Sequence, residues 1–400
     1  MDMLKSILGF DDWTGKPHKL FSFHTVIVLG GLAALVLAEV TERFTFKLML
    51  DRMESYRYFL MQMSTFLYIP PMFCIVGYKA TQSDFIDEEV TEFPKSKFFV
   101  MGMLDLLQSM LLYLAGGKTP ATLTVVFMQA SIPMTMLLAQ LFLNEEYSKY
   151  QVIGASIMSA GLLVGLVPVF SMVLSDVFEE QEMAWNSFCY LLAAIPGALS
   201  VLYKERALAT QPMDVYYLNA WVAVYQFIGG LLLAPLAFDI PVPFPLLNMG
   251  PILLFQALHL DQRISGLECL VNGVSEIRTD KCHLGLGILV VFLLCKVVAF
   301  FGIGFVLRHT SVPTLYGSYV LALPIAFIVL AWYQVSGQSD QDSSLSSAWS
   351  DIVSCAIVLF GLVLYRLSPE PGMEATTMSA AEKEAQSLLE DSSESGLRYT

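Results

Sequence analysis

Charged side chains are scarce in this sequence: they make up 14% of its 400 residues, whereas hydrophobic residues make up 56%. Soluble domains carry about 25% charged residues, so the composition argues against a soluble protein. The chain also lacks the GxxxxGK[ST] loop with which nucleotide-hydrolysing proteins bind phosphates. It contains no basic patch and no nucleic-acid-binding motif, which argues against a nucleic-acid partner.

Residue clusters that carry chemistry are absent as well. The sequence shows no Ser–His–Asp set, no CxxC pair and no cluster with metal-ligand spacing. We therefore expect neither an enzyme nor a bound metal or other cofactor. The first residues, MDMLKSILGFDDWTGKPHKL, contain an apolar stretch too short for a signal peptide. We interpret them as a cytosolic segment with a short amphipathic helix on the membrane surface.

Long apolar runs are the dominant feature of the chain. Runs of about 20 apolar residues are long enough to cross the hydrocarbon core as helices. They predict an all-α polytopic membrane protein with spans near 22–45, 58–77, 98–116, 121–143, 150–170, 184–203, 215–238, 285–307, 313–334 and 350–367. Ten spans place both termini on one side. A slight excess of Lys and Arg near the span ends on that side favours the cytosol.

Two spans resemble each other. TPATLTVVFMQASIPMTMLLAQLF (119–142) and SVPTLYGSYVLALPIAFIVLAWY (311–333) each carry a mid-span proline, Pro133 or Pro324. They are the fourth and ninth spans, so the repeat unit has five spans and its second copy is inverted, as in many secondary transporters. The predicted organisation is a cytosolic segment 1–20, repeats 21–170 and 171–368, and a disordered acidic tail 369–400.

Six cysteines divide into two groups. Four lie inside apolar spans, where a thiol behaves as a small hydrophobic group. Cys269 and Cys282 lie in the segment 240–285, whose start, about 246–260, is apolar and is interpreted as an interfacial helix. The remainder is predicted to be a polar loop that carries a Cys269–Cys282 disulfide. This bond requires the loop to face away from the cytosol, which agrees with the predicted topology.

Ionisable residues within the first and third spans are candidates for proton coupling. In the first span, Glu39 and Arg43 are four residues apart, which places them on one helical face in the favourable order for an ion pair. The alternative is that this span ends near Val40, so that the charges only mark the interface. In the third span, Asp105 lies near the middle, where an aspartate can take up a proton. Its alternative role is a structural hydrogen bond to a neighbouring helix. We assign proton coupling to Asp105 and Glu39.

The fourth span combines Gln129, Ser131 and Pro133. A proline within a helix leaves backbone carbonyls without partners, and these need polar surroundings. The pattern therefore predicts a kink beside a solvated cavity, although Gln and Ser also join helices to one another in bundles. Further polar positions occur in the sixth to ninth spans. The predicted substrate-binding set is Arg43, Gln129, Ser131, Ser200, Asn219, Gln226, Lys296, Tyr316 and Ser318, with hinges at Pro133, Pro196 and Pro324.

Several motifs resemble those of the drug/metabolite transporter superfamily and, within it, of the chloroquine-resistance-transporter-like family: MLD (103–105), QASIP (129–133), DVYYLN (214–219) and GLECLVNG (266–273). The resemblance implies ten spans in two inverted halves around a central cavity. It also implies a vacuolar, lysosome-like or plastid membrane. The substrates that it implies are amino acids, short peptides, glutathione-type thiols and cationic drugs.

Position by position, the resemblance places Arg43, Asp105, Gln129 and Ser131 at the cavity. It matches Cys269 and Cys282 to two of the family's loop cysteines. Lys296 stands where malarial relatives have an acid, which favours anionic or zwitterionic substrates.

The resulting hypothesis is a secondary transporter of small polar solutes, driven by protons, in a vacuolar, lysosomal or other endomembrane with both termini in the cytosol. The tail sequence EAQSLL matches an adaptor-binding sorting signal formed by Glu384, Leu388 and Leu389. The expected partners are thus a small-molecule substrate, the lipid bilayer, protons and a sorting adaptor. The alternatives are a nucleotide-sugar or triose-phosphate antiporter of the same superfamily, or a non-transporting membrane scaffold.

Overall fold

The computed structural model describes residues 23–82, 93–143, 145, 147–174, 177–210, 213–237, 260–273, 281–309, 312–337 and 344–367. The predicted surface helix in 1–20, the apolar stretch 246–259, the acidic tail and the sorting signal Glu384, Leu388 and Leu389 lie outside these residues.

Every regular element in the described part of the chain is helical, which confirms the all-α prediction. The α-helices are α1 (Phe23–Arg52), α2 (Arg57–Gln82), α3 (Lys95–Gly116), α4 (Ala121–Met128), α5 (Ser131–Leu143), α6 (Lys149–Val173), α7 (Phe178–Leu192), α8 (Ala194–Thr210), α9 (Val215–Ala237), α10 (Leu260–Asn272), α11 (Gly285–His309), α12 (Val312–Gly337) and α13 (Ser344–Leu367).

Nine stretches within the described residues are long and apolar enough to cross a membrane. They coincide with nine of the ten predicted spans, and α4–α5 and α7–α8 each form one stretch. The first predicted span corresponds to α1, which is not among the nine. From Ile27 onward, where its side chains are described, this helix carries Glu39, Glu42 and Arg43 close together. In the part of α1 whose side chains are described, these charges therefore leave no apolar stretch of sufficient length.

The helix pairs that pack most extensively are α6 with α13 and α1 with α11. Helix α9 packs between α2 and α3, and α12 contacts both α1 and α4. Large apolar side chains such as Leu37, Ile328 and Trp332 are at least 64% exposed on the outside of the bundle. A bilayer covers such a surface, because lipid tails are as apolar as these side chains.

The α6–α13 crossing is built on glycines. A Cβ atom added at Gly154 would lie 2.6 Å from the backbone nitrogen of Tyr365, and one added at Gly361 would lie 2.7 Å from the carbonyl oxygen of Gly154. Gly161 likewise faces the backbone of Val358. Small residues let membrane helices approach until their backbones touch, and this contact replaces the hydrophobic driving force that is absent in lipid.

Replacing Gly154 with leucine should therefore force α6 and α13 apart. The obstructing atoms belong to the backbone of α13 and cannot rotate away, so we expect a loss of about 3 kcal/mol or more. The measurement is the melting temperature and the monodisperse fraction of the detergent-purified protein. Gly287→Leu is the matched control, because a Cβ at Gly287 meets nothing within 4 Å. Equal melting temperatures for the two variants would contradict this packing.

Two spans are interrupted within their length. The fourth breaks at Gln129 and Ala130, between α4 and α5, and the sixth breaks at Ala193, between α7 and α8. Pro133 and Pro196 are each the third residue of the helix that follows the break. The amide of a residue in the first turn has no partner within its helix, so proline fits there without loss of a hydrogen bond. Pro324, in contrast, lies inside the continuous helix α12.

The Cys269–Cys282 disulfide is present, as predicted. The prediction that Cys269 lies in a polar loop is wrong, because it lies on α10. Helix α10 has a polar and an apolar side, and the buried cysteine lies on the apolar side. Cys282 precedes α11, and the Lys281 amide donates a 2.9 Å hydrogen bond to the carbonyl oxygen of Arg52. The disulfide therefore joins α10 to the end of the bundle where α1 ends and α11 begins.

Candidate functional site

A cavity of about 210 Å³ lies between α2, α3, α9 and α11, and most of its wall is polar. Four helices supply the wall: Ser64, Thr65 and Tyr68 on α2, Asp105, Ser109 and Tyr113 on α3, Asn219, Val222, Ala223 and Gln226 on α9, and Lys296 on α11. Four predicted site residues thus meet at one place: Asp105, Asn219, Gln226 and Lys296. Polar side chains from four predicted spans that share one void are typical of a solute path, because lipid-facing positions would not retain them.

Lys296 provides a positive charge in this cavity. Its Nζ lies 5.6 Å from the ring centroid of Tyr68 and 5.7 Å from that of Phe292, close enough for cation–π attraction. Among the described residues, no carboxylate forms an ion pair with it. Glu42 of α1 is near enough for electrostatic attraction. The ammonium group is therefore free to bind an anionic group that enters the cavity.

Asp105 contributes a carboxylate to the cavity wall, and α8 binds this carboxylate through two side chains. Its Oδ2 lies 2.6 Å from Nζ of Lys204, and its Oδ1 accepts a 2.5 Å hydrogen bond from the hydroxyl of Ser200. Both partners are on α8, so the carboxylate joins α3 to α8 while it faces the cavity. The predicted structural hydrogen bond therefore exists, and it coexists with access to the cavity.

Lys204 was not predicted as a site residue, because the sequence places it near the cytosolic end of the sixth span. The structure extends α8 to Thr210, which places Lys204 inside the helix. Ser200 and Lys204 are four residues apart and therefore lie on one helical face. That spacing was the signal that could have identified Lys204.

Hydrogen bonds fix the remaining polar wall. Nε2 of Gln226 donates to the Ser109 hydroxyl at 2.9 Å, and the hydroxyls of Ser64 and Tyr113 lie 2.7 Å apart. These contacts orient the side chains before any solute arrives, which lowers the entropic cost of binding. The contributions of α2 and of Tyr113 were missed by sequence reasoning, although Ser64, Thr65 and Tyr68 have the spacing of one helical face.

Arg43 and Glu39 form the predicted ion pair on α1, with Nη2 and Oε2 3.6 Å apart. Helix α1 continues past Val40 to Arg52, so the helix does not end where the alternative interpretation placed the end of the span. Nη1 of Arg43 is buried and has no hydrogen-bond partner, and the same holds for the hydroxyl of Tyr190. Arg43 and Tyr190 are close enough to interact electrostatically. Because neither group has a hydrogen-bond partner among the described residues, both can donate a hydrogen bond to a solute.

Lys47 lies one turn beyond Arg43 and has a structural role. Its Nζ donates to the carbonyl oxygens of Gly116, Gly117 and Thr119 at 2.7 to 3.0 Å. It also lies 2.9 Å from Oδ1 of Asp51. The last carbonyls of a helix have no partner within that helix. Lys47 therefore caps the C-terminal end of α3 and connects it to α1.

The other predicted site residues do not line this cavity. Gln129 is buried at the end of α4, and the Ser131 hydroxyl donates to the Met128 carbonyl of its own span at 3.0 Å. Ser318 is buried on α12. Tyr316 lies on the same helix, but its side chain is outside the described residues. Within the described residues, no group of three or more metal-ligating side chains occurs.

Comparison with known proteins finds matches along most of the chain. A family model described as CRT-like, chloroquine-resistance transporter-like, matches residues 27–365. Crt homolog 1 of Dictyostelium discoideum is 29% identical over 382 residues, which cover 89% of this chain and 77% of that protein. The chloroquine resistance transporter of Toxoplasma gondii is 26% identical over 347 residues, covering 83% of this chain and 37% of that protein. Protein CLT1, chloroplastic, of Arabidopsis thaliana is 24% identical over 236 residues, covering 58% of this chain and 50% of that protein.

Proposed function

Because the chain belongs to the chloroquine-resistance transporter-like family, we propose that it is a secondary transporter of small polar organic solutes. The observation that carries this proposal is the cavity between α2, α3, α9 and α11. It combines a lysine that forms no ion pair among the described residues, an aspartate and several neutral hydrogen-bonding side chains inside a bundle of apolar helices.

The cavity chemistry favours solutes that carry a carboxylate. Lys296 can form a charge-assisted hydrogen bond with a carboxylate, and such bonds are stronger than neutral ones. Asn219 and Thr65 can bind amide, amine or hydroxyl groups of the same solute. About 210 Å³ is smaller than the pockets that hold drug-sized ligands. We therefore propose amino acids, short peptides or glutathione-like thiols as the substrate class.

Two inverted five-helix repeats, 21–170 and 171–368, are proposed as the basis of alternating access. Exchanging each span with the one five positions along the chain converts several contacts between helices into one another. The contact of α1 with α11 corresponds to that of α8 with α3, and the contact of α12 with α1 corresponds to that of α5 with α8. The exchange swaps α6 with α13, so their contact is unchanged. The proposed hinges are Pro133, Pro196 and Pro324, which lie in three of the exchanging spans.

Proton coupling is proposed to depend on Asp105, which faces the cavity, and on Glu39, which lies on α1. Arg43 is proposed as a second countercharge for the substrate, because Nη1 has no partner. The proposed location is a vacuolar or lysosome-like membrane with both termini in the cytosol and the disulfide on the other side. The word "chloroplastic" in the name of the Arabidopsis relative makes a plastid membrane the competing location.

Uptake into proteoliposomes tests this function. The full-length chain is reconstituted, a pH gradient is imposed, and labelled amino acids, glutathione and nucleotide sugars are compared with protein-free vesicles. We expect saturable uptake of a carboxylate-bearing solute that increases with the pH gradient. Strict exchange of nucleotide sugars would instead indicate an antiporter of that class. The absence of uptake for every solute would favour a membrane scaffold.

A further inference from the structure

A second buried carboxylic acid lies outside the cavity, near the start of α13. Asp351 is 1% exposed, and its Oδ1 atom has no hydrogen-bond partner. Its Oδ2 atom lies 2.5 Å from the hydroxyl oxygen of Thr122, in the first turn of α4. The proposed transport site does not use this residue, so its position needs a separate explanation.

The surroundings of Asp351 contain no neutralising charge within the described residues. Helices α4, α6 and α12 pack against α13. From α4 and α12, the groups next to the carboxyl are Thr122 and the Gln334 amide. Ser354, one turn along α13, is committed to the Gly161 carbonyl of α6 at 2.7 Å. An ionised carboxylate with a single hydrogen bond and no cation is costly to bury by several kcal/mol.

The titratable groups nearest to this cluster do not supply a counter-charge. The Cys355 thiol lies one turn along α13 and is uncharged as a thiol. On α12, the Tyr333 hydroxyl donates to Oδ2 of Asp51 at 3.1 Å, and Asp51 is paired with Lys47. Lys47, which these contacts connect to the Tyr333 hydroxyl, is therefore already neutralised by Asp51.

The hydrogen-bond geometry accommodates a proton on Asp351. The Thr122 hydroxyl has a single proton but faces two acceptors, Oδ2 of Asp351 at 2.5 Å and Oε1 of Gln334 at 3.2 Å. If Asp351 carries a proton, its Oδ2–H donates to the Thr122 oxygen, and the Thr122 hydroxyl donates to Oε1 of Gln334. The Asp351–Thr122 contact and the Thr122–Gln334 contact then each contain a hydrogen. Without that proton, the Thr122 hydroxyl donates to Asp351, and Oε1 of Gln334 accepts only the backbone amide of Thr122, at 3.2 Å.

We propose that Asp351 is a proton-binding residue whose protonated form holds the ends of α4, α12 and α13 together. Loss of the proton to water leaves a charge that this dry environment does not stabilise, so these ends separate. They lie at the end of the bundle that carries the disulfide, because α1 ends and α11 begins there. The inference rests on the proposed transport function. In alternating access, the two ends of the bundle open in turn, and protonation of Asp351 would keep the disulfide end closed.

Hydrogen–deuterium exchange tests the switch without any substrate. The full-length chain in detergent is examined by mass spectrometry over a series of pH values, after correction for the intrinsic exchange rate. Because opening would release one proton, protection of α4 and of the first turns of α13 should fall by up to about tenfold per pH unit as the pH rises. Asp351→Asn, which cannot lose a proton, should show protection that is independent of pH. Asp351→Glu should restore the dependence.

The matched control is Glu180→Gln, which removes an exposed carboxylate in the first turn of α7 and should keep the pH dependence at this end. The same pH dependence in Asp351→Asn as in the wild type would overturn the proposal. A wild-type profile without pH dependence would overturn it as well, even if the Asp351→Asn variant failed to fold. Neither result depends on uptake, so failure of the transport function is distinguished from failure of the switch.

Discussion

Lys296→Met is expected to reduce the uptake of carboxylate-bearing solutes by about 30- to 150-fold. The ammonium group is the cation in the cavity wall that has no ion-pair partner among the described residues. A hydrogen bond to a charged group contributes about 2 to 3 kcal/mol, which corresponds to this factor. Methionine keeps the length and the apolar stem of the side chain, so the loss reports the charge. The measurement is the initial rate of labelled amino acid uptake into proteoliposomes.

Two variants serve as controls for this result. Lys296→Arg keeps the positive charge and should retain most of the uptake. Lys97→Met removes a lysine whose Nζ lies 5.1 Å from the ring centroid of Phe93 but which does not line this cavity, so uptake should remain near the wild-type rate. Unchanged uptake in Lys296→Met would show that the carboxylate binds elsewhere and would remove Lys296 from the proposed site.

Asp105→Asn is expected to abolish the response of uptake to a pH gradient while the protein still inserts into the membrane. An amide cannot take up and release a proton at this position. The structure adds a second consequence, because the substitution leaves the Lys204 ammonium without its carboxylate partner. Both side chains are about one fifth exposed, so the loss should be smaller than the about 3 to 5 kcal/mol that breaking a fully buried ion pair costs. The measurement compares uptake with and without an imposed gradient, together with the melting temperature.

A double variant separates these two effects. Asp105→Asn combined with Lys204→Gln removes both charges, so the melting temperature should recover while the gradient response stays absent. If the gradient response returned in the double variant, the role of Asp105 would be limited to neutralising Lys204. If Asp105→Asn alone kept the wild-type pH dependence, Asp105 would not be the proton carrier.

Much of the fold was predictable because lipid imposes a simple rule on sequence. Each membrane-crossing helix must be apolar over most of its length, and the long apolar runs therefore locate the helices to within a few residues. The disulfide was predictable for a similar reason, since Cys269 and Cys282 are the two cysteines outside the apolar runs. The helix around Cys269 was missed because its polar and apolar residues are too mixed to form an apolar run.

The site was predictable only in part, because a sequence shows which faces are polar but not which faces meet. Asp105, Asn219, Gln226 and Lys296 stand out as polar residues in apolar surroundings, and the structure brings them together. Their partner Lys204 does not stand out, because charged residues follow it directly in the chain. The same ambiguity affected other residues. Lys47 has the same four-residue spacing from Arg43 that Arg43 has from Glu39, but it caps α3 through contacts with residues about 70 positions away.

The glycine contact between α6 and α13 has a further consequence for movement. Two backbones in direct contact have no side-chain layer between them that could deform, so one helix cannot slide along the other without collision. We infer that α6 and α13 move together as a single rigid unit. In the proposed transport cycle, the remaining helices would then move relative to this rigid pair.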